Sequence, residues 1–517
     1  LNIFNSGNWE SWDGGHFTLG QTGLGNLNIS TTGLLQKSSL KSTNITLGTN
    51  GGTGIASVSG INASMTATNQ MKVGEGAGSL GQLTISNIGK VNVADSLFIG
   101  MGSQLDNKVT ITGAASEMVL GSNFTSIGFG GGKGTLDVLS GGKVTNSGGS
   151  INIGDSAGST GAINISGSGS QFISSGNSVM KVGNVGNGTV SLESGGKLSV
   201  GHLDVGSTNT GEGLMTVKGQ GTRVDLWGPQ FHYVGNHGQG ILILQDGSEL
   251  DCNGSPLGIG RSGIGYLHVT AGSRLLSGGG FLGVNSSSEG TVSVHGVGSQ
   301  WNVEGSSMSI GLDGKGNLNV GTGGKVNLHE FTTPYLGFNS FGNGSLHVSG
   351  AGSEFNYGLE RNLHVGRHGS GTLNISAAGA VNGGSATIAF GPSTTGSAIV
   401  QDAGSKWNLA DSLFVGERGT GTLNIQNGGE VNAAQLQVGS TMGSQGQIHL
   451  SGNGSQLSIA QNASIGGSAG VDGGNGTLNI NPGTTAAVGG HLSIWSQGAV
   501  NLNGGTLKLG SLNDQNG

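Results

Sequence analysis

Residues 418–432 read RGTGTLNIQNGGEVN, residues 368–382 read HGSGTLNISAAGAVN, and residues 313–327 read DGKGNLNVGTGGKVN. The three stretches keep their apolar residues and glycines and vary the polar ones. Within the first, Leu423 and Ile425 alternate with Thr422 and Asn424, the period-two pattern of a strand with one buried face. Gly419-Thr420-Gly421 and Gly428-Gly429 flank it, and glycine reaches the positive φ of a sharp corner at little steric cost. Together with "LFV" at 413–415 and "EVN" at 430–432 this gives three short strands and three corners, with no helical periodicity.

The same unit recurs along the whole chain. Each copy is anchored on a glycine that closes an apolar pair: Gly20, Gly48, Gly74, Gly100, Gly128, Gly154, Gly183, Gly206, Gly235, Gly260, Gly283, Gly311, Gly337, Gly366, Gly391, Gly416, Gly439 and Gly466. Successive anchors fall about 26 residues apart, the length of one solenoid coil. The expected fold is therefore all-β: a right-handed parallel β-helix of about 18 coils, three short strands per coil, as one domain over 1–517. The coils alternate between two kinds, slipping once where Gly235 and Gly260 both head units of the first kind, and that first kind follows "GxGTLNIxxGGxV". Others carry "SGxGSx" and then a large apolar residue, as in GSGSQF (167–172), GVGSQW (296–301), GAGSEF (350–355) and DAGSKW (402–407). The register places Phe172, Trp301, Phe355 and Trp407 where other coils have Leu198, Val326 and Val431, so these aromatics are expected inside.

Composition agrees with this reading. Of 517 residues 111 are glycine and 5 are proline, with no Gly-X-Y period, which excludes collagen. Charged residues make up 9% and the net charge is −7, so the charge signature of disorder is missing. With few basic residues there is no electrostatic footprint for nucleic acid. A single cysteine, Cys252, excludes an internal disulfide and a Cys-rich metal site. No apolar run reaches the length of a membrane-spanning helix. The chain opens LNIFNSGNW, without Met, and is expected to be a mature segment or a piece cut from something longer.

Several strings resemble chemistry and read better as corners. GDSAG at 154–158 places Ser156 in a protease-like context, but the string falls on an ordinary anchor corner. GGKGTLDVL at 131–139 is close to a calcium-binding nonapeptide, yet Asp137 falls one residue late and most corners lack Asp. His364 and His368 in an extended segment are too far apart to share a metal. No cofactor is expected. Two breaks in the pattern stand out: LWGPQFHYVG (226–235) and HEFTTPYLG (329–337) bring proline and aromatics into a Gly/Ser corner. Trp227, Phe231, Tyr233, Phe331 and Tyr335 are the candidate recognition patch, with plugging of an end or a bulge of the helix as the competing reading.

Repeats of "GxGTLNIxxGGxV" with "SGxGSxW" between them, and VNLNGGTLKLG at 500–510, resemble the passenger domains of type V autotransporters. The likeness is to the AIDA-like, passenger-associated-repeat group of Gram-negative surface proteins, and it covers essentially the whole chain. It implies a passenger fragment whose signal peptide and outer-membrane barrel lie elsewhere, and a place on the bacterial surface or in the medium. It also implies adhesion rather than catalysis: aggregation of like cells, biofilm growth, or attachment to host cells, matrix protein or surface glycan. The expected adhesive face is a ladder of outward amides at "TLNI", namely Asn28, Asn319, Asn374, Asn424 and Asn479. A glycan-cleaving β-helix enzyme and an inert stalk are the alternatives.

Overall fold

The computed structural model describes residues 1–11, 14–468 and 471–514. Among them every regular element is a strand, and the chain winds into a parallel β-solenoid of about 19 turns spaced roughly 26 residues apart. Among the described residues no helix is long and apolar enough to cross a membrane. By contacts the chain divides into two units, Leu1–Ser255 with Gly263–Gly265, and Pro256–Ser262 with Tyr266–Gly517.

One coil of the second unit shows why these residues form these elements. An anchor strand, Ser412–Val415, leads through Gly416 into a long strand, Thr420–Gln426, and then a short strand, Glu430–Ala433. The long strand pairs in parallel with Thr395–Gln401 one coil earlier and with Gln445–Ser451 one coil later. Leu423 thus stacks on Ala398 and Ile448, and all three are fully buried. Identical alternation in every coil keeps each apolar face in register with the next, because a one-residue slip would turn the whole set outward. The first unit repeats the scheme, with Gln82–Ile85 paired to Lys108–Ile111 and Leu83 and Val109 buried.

The anchor glycine is a steric requirement. Gly416 has φ 67°, and a Cβ there would lie 2.1 Å from the carbonyl oxygen of Gln445 in the next coil. One expected anchor is misplaced. Val365 pairs with Ile388, so the residue equivalent to Gly366 is Ala389, not Gly391, and Ala389 holds φ 60° despite its side chain. The final coil accounts for the extra turn: Ile494 pairs with Ile465, and Trp495 stands where Gly466 stood one coil before.

The expected core aromatics are inside. Phe172, Trp301, Phe355 and Trp407 are fully buried, Phe172 in the first unit and the others in the second. Trp301 lies between Leu275 and Val326 of the adjoining coils, and its Nε1 donates to Ser277 Oγ at 2.9 Å. The serine of the "GS" pair explains its own motif. Buried Ser299 donates to the His295 carbonyl at 2.7 Å and accepts the Gly272 N–H, one coil back, at 3.0 Å. Ser353 does the same with Ser349 and Gly323, so this hydroxyl ties consecutive corners together without leaving a polar atom unpaired.

Candidate functional site

Half-buried aromatics lie on outward positions of the anchor strands and just after an anchor, among them Tyr233, Tyr335, Phe338 and Phe390. In the first unit Phe231 and Tyr233 stack with ring centroids 5.8 Å apart and planes 12° apart. Tyr233 pairs with Asp204 one coil earlier. Asp204 receives His202 Nε2 at 2.9 Å on one oxygen and Asn236 Nδ2 at 3.0 Å on the other. The His202 ring lies 6.3 Å from Tyr233 and 5.5 Å from His232. Trp227, 38% exposed, packs over Gly201 and shares a small pocket of about 50 Å³ with His202 and Pro229.

His232 faces the core. It is fully buried, neither ring nitrogen has a hydrogen-bond partner, and burial, with His202 adding to it, pushes its pKa down to about 4.

The second unit holds a larger cluster around Tyr335. Its ring stacks on His364 of the next coil at 5.3 Å and 13°, and meets Phe338 edge-on at 4.8 Å. The Arg367 guanidinium lies 4.2 Å from the centroid of Phe338 and 5.0 Å from that of Tyr335. One coil further, Phe390 sits edge-on to His364 at 4.9 Å and to His368 at 6.1 Å. Arg418, in the coil after that, lies 5.8 Å from Phe390. The result is a strip of alternating rings and cations over four consecutive coils, a geometry in which cation–π contacts hold guanidinium groups in place at the surface. Burial, then the charges of Arg367 and His368, push His364 down to about 4, so it is neutral at pH 7. Burial raises the carboxyl of Glu417, opposed by Arg418 and by a hydrogen bond with Thr387.

The candidate residues thus divide. Phe231 and Tyr233 come together with Trp227 close by in the first unit. In the second, Tyr335 is the centre of the cation–aromatic strip. Phe331, 59% exposed, makes a pair of its own with His329 at 5.3 Å and lies under Arg361 at 5.7 Å. Phe338, Arg367, Phe390 and Arg418 escaped the reading of single breaks. Each occupies a corner that varies freely from coil to coil, and only the column of corner residues assembles them. Anchoring one coil at Gly391 instead of Ala389 also hid Phe390 from that column.

The remaining strings are structural. Ser156 N–H donates to Ser159 Oγ at 2.9 Å and closes a turn. Asp137 pairs with Lys108 Nζ at 2.5 Å and accepts from Asn164 Nδ2 at 2.8 Å. His364 and His368 both meet the Phe390 ring edge-on, and among the described residues no group of three or more His, Cys, Asp or Glu is placed to hold a metal ion.

The amide ladder lies on a different strand from the one expected. At "TLNI" the outward column of the second unit runs Ser293, Asn319, His347, Asn374, Ile399, Asn424, His449, Asn479, Asn501, and Asn374 Oδ1 has no partner. Only Asn479 and Asn501 stand side by side there, bonded at 2.8 Å. In the first unit Asn28 accepts from Ser57 at 2.9 Å. A continuous ladder does exist on the short strands: Asn302, Asn327, Asn356, Asn382, Asn408 and Asn432, joined by Nδ2–Oδ1 bonds of 2.8–3.0 Å.

No protein-family model matches the chain. An alignment of 316 positions, covering 53% of this chain, is 29% identical to YdeK, an uncharacterized lipoprotein of Escherichia coli (strain K12), and spans 23% of that protein. Among solved structures it is similar to a TibC-catalysed, hyper-glycosylated TibA fragment, at 15% identity and a TM-score of 0.27, over 92% of this chain and 97% of that one. That score provides no superposition on which residues can be compared.

Proposed function

We propose that this chain is the β-helical passenger of a bacterial surface adhesin of the AIDA-like autotransporter kind. Its work is binding without turnover: it joins cells to one another in aggregates and biofilm, or joins them to host cells and matrix. The partner is a second copy of the chain on another cell, a matrix protein or a surface glycan. The observation that carries the reading is the strip of Tyr335, Phe338, Arg367, Phe390 and Arg418, because clustered aromatics and arginines are the side chains that dominate recognition surfaces. The repeat pattern supports a passenger, and the partial similarity to a lipoprotein fits a place in the cell envelope.

The test is a mixed-cell settling assay with the chain displayed on bacteria that do not otherwise aggregate, run beside attachment to immobilised matrix protein. Displaying cells should clump or attach, and the Arg367→Ala, Arg418→Ala double variant should weaken that by about tenfold. Cells that neither settle nor attach overturn the reading.

A further inference from the structure

Beyond the cation–aromatic strip, the same outward face of the second unit opens into a groove of about 550 Å³. Its walls come from successive coils: Gln435 and Gln437, then Asn462 and Ser464, then His491 and Trp495. Parallel register builds it. Gln437 lies opposite Ser464, Ser464 opposite Ser493, and Ser493 opposite Asn513, so polar side chains line up at steps of about 4.8 Å.

Trp495 is the irregular member, at the position where the preceding coil has its anchor Gly466. Its ring lies against the backbone of Gly467, where a Cβ would come within 2.5 Å of the indole, so only glycine admits it. Its Nε1 donates to Ser464 Oγ at 2.7 Å, and Ser464 in turn donates to the Gly467 carbonyl at 2.7 Å, which fixes the ring plane. A short antiparallel pair, Gly467–Ser468 with Val471–Asp472, interrupts the coil beside it. Departures of this kind on one face of a solenoid commonly mark its binding side.

The lining chemistry narrows the ligand. No lining residue is Lys, Arg, Asp or Glu, so ionic attraction is not the main term. Glutamine, asparagine and serine side chains each donate and accept, as the adjacent hydroxyls of a sugar require, and an indole offers an apolar face with a polar edge. The volume is that of a small-ligand site, roughly 300–1,000 Å³. We infer that this groove binds an uncharged oligosaccharide, with Trp495 as the stacking platform and Gln435, Gln437 and Asn462 as the groups that read its hydroxyls. The inference concerns ligand chemistry and does not depend on adhesion.

The experiment uses the full chain on an array of uncharged oligosaccharides built from glucose, galactose, mannose and their N-acetylated amines. Sialylated and sulfated counterparts and immobilised collagen are printed alongside. Hits are then titrated by tryptophan fluorescence. At least one uncharged glycan should bind, and Trp495→Ala should weaken it by about tenfold. Gln437→Ala, an outward change that leaves the strand pairing alone, should weaken it too, with unchanged far-UV circular dichroism. Binding to none of the uncharged glycans, binding to the acidic glycans or to collagen alone, or equal binding by both variants overturns the inference. Settling of cells displaying Trp495→Ala reads the adhesion proposal separately.

Discussion

At the scale of single residues, His232 makes the fold sensitive to pH. It occupies a core-facing position beside Leu203, in a register that pairs Tyr233 with Asp204, and it offers two ring nitrogens to a site that satisfies neither. Its folded pKa, about 4, lies below the ordinary 6.5. Between those values the unfolded chain binds a proton that the folded chain refuses. Stability is therefore full above pH 6.5 and falls as the pH drops toward 4, by on the order of 3 kcal/mol from this group. His232→Leu should flatten urea-unfolding stability between pH 7 and 4.5 and raise it at pH 7 by about 1–3 kcal/mol. An unchanged pH slope would mean that His232 is not held neutral in the folded chain.

At the scale of elements, the asparagine ladder shows what register decides. The pattern "TLNI" looks like a run of stacked amides in the linear sequence, but its coils alternate with ones that place His347, Ile399 or His449 at that position. The short strands carry Asn in six consecutive coils, beneath a core residue that changes from Trp301 to Val326, Phe355, Val381, Trp407 and Val431. That variable neighbour disguises the constant one. Asn382 bonds both to Asn356 and to Asn408, whereas Asn302 begins the ladder with one bond, from Asn327. Asn382→Ala should cost about 1–2 kcal/mol in urea unfolding, and Asn302→Ala about half of that. Equal, negligible costs would show the ladder bonds to be no better than those to water.

At the scale of the whole molecule, stability belongs to the array. A coil has no apolar face of its own to close, so what matters is that each strand meets its equivalent one coil on. Excising 366–388 removes one full turn and joins Val365 to Ala389, the residue equivalent to Gly366, so the following strands stay in phase. The product should keep its β circular dichroism and its protease-resistant core. Excising 366–377 removes about half a turn, leaves the following strands out of phase, and should abolish both. A protease-resistant half-turn deletion would contradict the register argument.

The sequence by itself determined the solenoid, the coil length, the core residues and the inward aromatics. All of these follow from short-range alternation and from glycines that a corner cannot replace, information each coil carries locally. It also marked Trp227, Phe231, Tyr233, Phe331 and Tyr335 as departures from the repeat. Only the tertiary structure decided which departures act together. Tyr335 meets His364 and Arg367, and Trp495 meets Ser464, because parallel pairing sets residues of successive coils within about 5 Å of one another. An error of two residues at Ala389 is harmless to the fold, but it is enough to scatter a surface assembled coil by coil.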